Sequence, residues 1–156
     1  MDRKVIVGIG VGCLAALLLG IGGCVALVYW ASKEPENIAF TVQAPLEVKV
    51  GEDFTIDVEI ENTAGRAQTL YSVDIGKAYF EGVAITKSEP AFKQSSDVPI
   101  DNSRSYEFKQ EIPAGGKLQV RFFARAVKAA DCSADLDICV NSESSFLTQQ
   151  LRTVVQ

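Results

Sequence analysis

Residues 5–31 form a run of 27 amino acids without one charged side chain. A helix of about 20 apolar residues is enough to cross the roughly 30 Å hydrocarbon layer of a bilayer. Arg3 and Lys4 precede the run, while Tyr29 and Trp30 close it, which matches the positive-inside rule and the aromatic belt of membrane interfaces. The run predicts a single-pass signal anchor in membrane lipid. We expect a cytoplasmic N-terminus and a C-terminal domain in the periplasm or outside the cell.

Two other interpretations of the run stay open. A cleaved signal peptide usually has an apolar core of only about 7 to 15 residues, which is shorter than this run. Residues 19–24 (Leu-Gly-Ile-Gly-Gly-Cys) resemble a bacterial lipobox in which Cys24 would carry the lipid. Residues 25–29 remain apolar, however, where mature lipoproteins usually turn polar. A peptide anchor and a lipid anchor would leave the domain on the same side of the membrane.

Small side chains recur at every fourth position of the predicted helix, at Gly8, Gly12, Ala16, Gly20 and Cys24. Such a stripe lets a second helix approach closely in lipid, where dispersion contacts replace the hydrophobic effect. The stripe predicts packing against a membrane-protein partner or against a second copy of the chain. The alternative is that these glycines reflect only the high glycine content of membrane helices.

The part of the chain after the run is acidic and contains no histidine. Without Asp2, Arg3 and Lys4, the sequence has 13 basic and 19 acidic residues, a net charge of −6. Nucleic-acid-binding domains carry clustered basic faces instead, so we expect no nucleic-acid partner. The lack of histidine removes the commonest general base and the commonest ligand of catalytic metals. We therefore expect a protein that is not an enzyme, with no catalytic residue, no metal and no cofactor.

Beyond the run, the sequence predicts one all-β domain at residues 38–156, joined to the anchor (1–31) by a polar linker at 32–37 that contains a proline. Residues 54–61 alternate apolar and polar side chains, with the period of two that a half-buried strand needs. Further strands are predicted at about 69–75, 78–87, 104–111, 117–127, 136–140 and 146–155. Seven or eight short strands in about 120 residues favour an immunoglobulin-like Greek-key β-sandwich.

Residues 117–127 form the second strong strand of the pattern. Leu118, Val120, Phe122 and alternate alanines share one face of it, while lysine, glutamine and arginine side chains occupy the other. Phe123 breaks this alternation. It is either an outward contact residue, a residue packed under a loop, or the mark of a β-bulge.

Two stretches resemble bacterial and archaeal surface immunoglobulin-like domains of the CARDB-like and NEW3-like kinds. The first resembles the opening of these domains and covers residues 48–65 (Val-Lys-Val-Gly-Glu-Asp-Phe-Thr-Ile-Asp-Val-Glu-Ile-Glu-Asn-Thr-Ala-Gly). The second is similar to the loop ahead of the penultimate strands of these domains and covers residues 112–116 (Ile-Pro-Ala-Gly-Gly). The resemblance covers about half of the domain. It implies a membrane-anchored β-sandwich with an adhesive, spacer or accessory role, and it carries over no catalytic residue.

Cys132 and Cys139 are the cysteines available to the folded domain, and six residues separate them. Outside the cytoplasm a disulfide between them would persist, and in the chain-entropy model closing so short a loop contributes on the order of 2 to 3 kcal/mol. We therefore predict a disulfide that pins a connection ahead of a short strand at 136–140. Two reduced, buried thiols are the alternative. A redox site is disfavoured, because the spacing is not Cys-x-x-Cys.

Acidic and hydroxyl side chains alternate around the first of these cysteines, at Asp131, Ser133, Asp135 and Asp137. Their oxygens suit calcium, but the stretch lacks the glycine and the terminal glutamate of helical calcium loops. Acidic side chains on the solvated face of a strand are the simpler interpretation.

These observations favour a non-catalytic, membrane-anchored interaction or spacer module, an accessory subunit of a larger membrane complex. The alternative is a surface module that binds a small ligand or a polysaccharide, with a lipid anchor at Cys24. Sugar-binding platforms need exposed aromatic rings, and the candidates are Tyr71, Tyr79, Tyr106 and Phe123. We expect most of these rings in the core.

Overall fold

The structure, a computed structural model, describes residues 34–156. Ten strands occupy this part of the chain: β1 Ile38–Gln43, β2 Glu47–Val48, β3 Asp53–Asn62, β4 Gln68–Gly76, β5 Val83–Glu89, β6 Gln94–Val98, β7 Ser103–Ile112, β8 Lys117–Ala126, β9 Ala130–Val140 and β10 Phe146–Val155. A five-residue 3-10 helix, Lys77–Glu81, links β4 to β5. No helix within residues 34–156 has the length and apolar character needed to span a membrane.

The predicted anchor and the residues assigned to it lie outside the described residues. These are Arg3, Lys4, Gly8, Gly12, Ala16, Gly20, Cys24, Tyr29 and Trp30.

The strands form two sheets that face each other as a β-sandwich. The four-stranded sheet has the order β1-β3-β8-β5, and the six-stranded sheet has the order β2-β10-β9-β4-β7-β6. Strand pairs are antiparallel except for the short parallel contact between β2 and β10. The prediction of an all-β sandwich is confirmed at this level.

The core lies between the sheets because alternate side chains of each strand point inward. Ile56, Val58 and Ile60 of β3 are completely buried, as the alternation at 54–61 predicts. Phe122 of β8 meets Tyr106 and Phe108 of β7 edge to face, at centroid distances of 5.2 and 5.9 Å. These aromatic contacts join the two sheets, and such pairs add about 0.5–1.5 kcal/mol beyond the burial of their surface.

Two elements of the structure differ from the prediction. The strand expected at 78–87 begins only at Val83, because Tyr79 turns into the core from the 3-10 helix and is completely buried. Strand β6 was not predicted, since Gln-Ser-Ser-Asp-Val shows no apolar alternation. It is an edge strand whose first four residues are exposed, so no buried face imposes a pattern on it.

Strand β9 also departs from the prediction. The connection expected before residue 136 is extended strand, and β9 pairs with β10 in unbroken register from Ala130 to Cys139. Aspartate and serine disfavour strands in isolation. In β9 they occupy the outward positions, where the neighbouring strand supplies Arg152, Gln150 and Thr148 as partners.

Candidate functional site

The predicted disulfide between Cys132 and Cys139 is wrong for this fold, because both residues are free and lie in the same strand. Seven residues of extended strand separate their Cα atoms by roughly 23 Å, whereas a disulfide needs about 4.4–6.8 Å. Because the two cysteines are an odd number of residues apart in the strand, their side chains also point to opposite faces of the sheet. Cys132 belongs to the core, and Cys139 lies on the outer face. Spacing along the chain suggested proximity only because a loop was assumed.

Both thiols are shielded from solvent. Cys132 is completely buried and Cys139 is 2% exposed. Burial, together with the nearby carboxylate of Asp74, raises the pKa of the Cys139 thiol to about 12. Burial also raises the pKa of Cys132. Since the thiolate is the nucleophile, neither residue is equipped for thiol chemistry.

The outer face of the six-stranded sheet carries Asp131, Ser133, Asp135 and Asp137 of β9 and is called the acidic face below. Asp137 lies directly across from Asp74 of β4. Burial raises the pKa of Asp137, and the carboxylates of Asp74, Asp135 and Asp101 raise it as well, against the lowering effect of the hydroxyl of Thr148. An open cavity of about 400 Å³ lies at one end of this face, bordered by Asp101, Asp135, Asp137 and the backbone around Gly76.

Each acidic residue predicted as a calcium ligand has a protein partner instead. Arg152 donates two hydrogen bonds to Asp131, at 2.9 and 2.8 Å, and holds the pKa of that carboxyl below its usual value. Gln150 donates to Asp135, and Thr148 donates to Asp137. Among residues 34–156, no group of three or more carboxylate, thiol or imidazole side chains is arranged to hold a metal ion. The structure therefore favours the solvated strand face.

The outer face of the four-stranded sheet is a ladder of ion pairs between β3 and β8. Lys117 meets Glu59 at 2.7 Å, Arg121 meets Asp57 at 2.6 Å, and Arg125 meets Asp53 at 2.9 Å. Cross-strand pairs of opposite charge stabilise a sheet by roughly 0.2–1 kcal/mol each. Each cation of this ladder therefore already has an anionic partner.

The four candidate aromatic residues do not form a binding platform. Tyr79 and Tyr106 are buried, as expected. Phe123 lies on the outer face of the four-stranded sheet beneath the ammonium of Lys87, 4.3 Å from the ring centre, beside a bulge in β5. Tyr71 belongs to the other sheet, where its hydroxyl donates to Glu143. The two accessible rings, Phe123 and Tyr71, therefore lie on different sheets. These four residues do not form the stacked aromatic surface that a sugar chain needs.

The segment that leads into the sandwich is fastened to it. Pro35 is buried. The carbonyl of Glu36 accepts a hydrogen bond from the Gln68 amide at 3.1 Å, and the carbonyl of Asn37 accepts one from the Thr63 backbone amide at 2.9 Å. The predicted linker at 32–37 is thus part of the folded body from residue 35 onward.

Behind this attachment lies a hydrogen-bond network that sequence reasoning missed. The buried amide of Asn62 donates to the carbonyls of Arg66, Ile112 and Pro113. Gln68 donates to Asn62 and accepts from Asn141. The signal in the sequence was weak, since asparagine after a strand indicates a turn and does not show which distant loops its amide will join.

No protein-family model matches the sequence, and no curated protein does. Among solved structures, the chain is similar to AvmM, which catalyses macrocyclization in alchivemycin A biosynthesis, with a TM-score of 0.51 and 11% identity over 78% of this chain and 89% of that one. It is also similar to the cupredoxin domain of amoB from Nitrosocaldus yellowstonii (TM-score 0.46, 8% identity, 79% and 89% of the two chains). A third is a cohesin module from a Clostridium perfringens family 33 glycoside hydrolase (TM-score 0.45, 15% identity, 76% and 98%). At these identities the likeness concerns the β-sandwich fold alone.

Proposed function

We propose that this protein is a non-catalytic, membrane-anchored interaction or spacer module whose immunoglobulin-like sandwich stands outside the cytoplasm, as an accessory subunit of a larger membrane complex. The anchor is inferred from the uncharged run at 5–31 and its flanking residues. Membrane lipid surrounds this segment, and its stripe of small residues binds a partner helix or a second copy of the chain.

The observation that carries the spacer role is the fastened leading segment. Buried Pro35 and the bonded carbonyls of Glu36 and Asn37 make the start of the described chain part of the folded body. A leading segment that is tied to the sandwich suits a spacer or an assembly subunit more than a module that must search for soluble ligands.

Purification of the full chain in mild detergent tests the partner. We expect stoichiometric membrane proteins with the unaltered chain and their loss with Gly12→Leu, since leucine would block close helix approach on the stripe. Gly10→Leu is the matched control, because two residues along a helix turn the side chain by about 200°, away from the stripe. Equal recovery with both variants, or a lone monomer with the unaltered chain, would remove the complex-subunit role.

The second candidate is a surface binding module for a small ligand or polysaccharide, held by lipid at Cys24. The cavity bordered by Asp101, Asp135 and Asp137 favours it, while the scattered aromatic rings weigh against a sugar chain. Mass spectrometry separates the two anchors. A lipid-modified N-terminal Cys24 would identify the lipoprotein, and an intact N-terminal segment would identify the peptide anchor.

A further inference from the structure

One buried glutamine side chain joins three separate parts of the chain. The amide nitrogen of Gln68 donates hydrogen bonds to the Glu36 carbonyl at 3.1 Å and to Asn62 Oδ1 at 3.0 Å. Its amide oxygen accepts a hydrogen bond from Asn141 Nδ2 at 2.9 Å. Glu36 belongs to the leading segment, and Asn141 begins the hairpin loop at 141–145, between β9 and β10. Gln68 therefore connects the hairpin loop to the start of the sandwich.

The three hydrogen bonds use the whole polar capacity of the Gln68 amide along this path. A glutamine side chain has two N–H donors on its nitrogen, and its oxygen is its acceptor. The side chain is only 5% exposed, and Asn62 beside it is completely buried. Because a buried polar group is costly to leave without a partner, the three bonds depend on one another.

Backbone donors at both ends fix which way the Gln68 amide points. The backbone N–H of Thr69 donates to Asn141 Oδ1 at 3.0 Å, which leaves Nδ2 of Asn141 to meet Gln68. The backbone N–H of Ala64 donates to Asn62 Oδ1 at 3.0 Å. A backbone N–H can only donate, so neither asparagine can exchange its oxygen and nitrogen without losing a bond. Gln68 must therefore turn its oxygen to the hairpin loop and its nitrogen to the leading segment.

From this geometry we infer that Asn141, Gln68 and Asn62 form a hydrogen-bond relay of one polarity, through which the hairpin loop controls the attachment of the leading segment. If the polarity at Asn141 is reversed, the Gln68 amide turns over. Its oxygen then faces the carbonyl of Glu36, and two acceptors cannot form a hydrogen bond. Coupling between distant sites needs a continuous network with two arrangements, and the two orientations of this amide supply them.

The relay can be changed from outside the sandwich, at its Asn141 end. Asn141 is exposed, whereas Gln68 and Asn62 are buried. Its φ of +64° lies in the left-handed region, which asparagine and aspartate adopt more readily than most residues. The relay does not depend on a membrane anchor, whereas its use to hold or release a spacer rests on the proposed function.

Hydrogen exchange of the Thr63 amide, followed by NMR on the full chain in mild detergent, tests the relay. This amide donates to the Asn37 carbonyl at 2.9 Å and so reports on the attachment of the leading segment. Asn141→Asp replaces the donor nitrogen by oxygen at nearly equal size, and Gln68 must turn to pair with it. The Thr63 amide should then exchange at least about fivefold faster, the factor that corresponds to the loss of about one hydrogen bond. Asn102→Asp, the same change at another exposed asparagine with positive φ, should leave the rate unchanged.

Replacement of the central residue separates the relay from a general loosening of the sandwich. Gln68→Met keeps a side chain of similar length without its polar groups. In the Gln68→Met chain, Asn141→Asp should no longer affect the Thr63 amide, because the coupling passes through Gln68. An unchanged rate for Asn141→Asp when Gln68 is present, or equal acceleration with and without Gln68, would overturn the proposal. Neither outcome bears on the anchor, so the relay and the proposed function can fail separately.

A second variant at position 141 tests the polarity without altering Gln68. Asn141→Gly removes the side chain, tolerates the positive φ, and leaves the Gln68 amide free to keep its orientation toward Glu36. It should therefore accelerate exchange of the Thr63 amide less than Asn141→Asp does. An effect of Asn141→Gly as large as that of Asn141→Asp would show that only the lost contact matters and that the polarity does not.

Discussion

The hydroxyl of Thr153 links three parts of the sandwich through two hydrogen bonds. It donates to the carbonyl of Pro45 at 2.9 Å, and the hydroxyl of Tyr79 lies 2.8 Å from the same oxygen. Since a threonine hydroxyl has one proton, Tyr79 must be the donor in the second bond. Both side chains are completely buried, and burial raises the pKa of Tyr79 to about 12.

Thr153→Val should destabilise the protein by about 2–3 kcal/mol, because it leaves the Tyr79 hydroxyl and the Pro45 carbonyl without partners in a buried place. Tyr79→Phe should cost only about 1 kcal/mol, since Thr153 still donates to Pro45. Urea unfolding monitored by circular dichroism gives both values. Equal losses for the two variants would show that the Pro45 bond contributes nothing.

The aspartates of β9 respond to pH in opposite directions. The pKa of Asp137 is raised by burial and by its acidic neighbours, so its contribution to stability is present below its ordinary pKa and is lost as pH rises through the folded value. The pKa of Asp131 is lowered by Arg152, so its contribution is present above its ordinary pKa and is lost as pH falls.

Asp137→Asn should therefore remove the loss of stability that sets in as pH rises above the ordinary pKa of an aspartate, and it should raise the free energy of unfolding at neutral pH. Asparagine still accepts the hydrogen bond from Thr148. Asp131→Asn on the same face is the matched control, and it should lower neutral stability only slightly, because an exposed ion pair contributes little. Unfolding curves at several pH values distinguish the two. A stabilising Asp131→Asn would contradict the assignment.

The junction between the 3-10 helix and β5 depends on one glycine. A Cβ atom at Gly82 would lie 2.6 Å from the backbone oxygen of Lys128 and 2.8 Å from the sulfur of Cys132. Gly82→Ala should destabilise the protein by about 1–3 kcal/mol, as overpacking does. Gly65→Ala, where nothing lies within 4 Å, should be close to neutral. Thermal melts of the pair measure the difference, and equal melting temperatures would mean that the Lys128 carbonyl and the Cys132 side chain move aside at little cost.

Strand β1 is held at its outer edge by one side chain from the opposite sheet. Gln149→Ala removes the acceptor for the Val42 amide and the donor to the Phe40 carbonyl. The Val42 amide should then exchange hydrogen at least about tenfold faster, because a loss of roughly 1.4 kcal/mol of local protection corresponds to that factor. Gln150→Ala, next along the strand but facing outward, should not alter that rate. Hydrogen exchange followed by NMR resolves the single amide.

Most strands with a buried face were predictable from the sequence, whereas strand β6, which has none, was not. Strand β3 shows its period of two because one side of it lies in the core. Strand β6 has no side in the core. In the N-terminal half of β9, aspartate and serine alternate with small core residues. Neither segment therefore shows a hydrophobic alternation in the sequence. The disulfide failed for the same reason, since a stretch without apolar residues was taken for a loop. The pairing of distant loops through Asn62 lies beyond any local pattern.

At the scale of the whole molecule, the described residues form a sandwich on whose surface seven of the twelve lysine and arginine side chains form ion pairs. One outer face is an ion-pair ladder, the thiols are buried, and the leading segment is fastened to the body. This arrangement fits the proposed interaction or spacer role, and the proposed anchor would supply its location.

Labelling of intact cells with a membrane-impermeant maleimide tests the location most directly. In a chain carrying Cys13→Ser and Cys24→Ser, Ser133→Cys places a thiol on the exposed acidic face, whereas the same chain without Ser133→Cys keeps Cys132 and Cys139 buried and serves as the control. We expect labelling of Ser133→Cys in intact cells to the same extent as after lysis, with the control unlabelled in both. Labelling of Ser133→Cys only after lysis would contradict an extracytoplasmic sandwich.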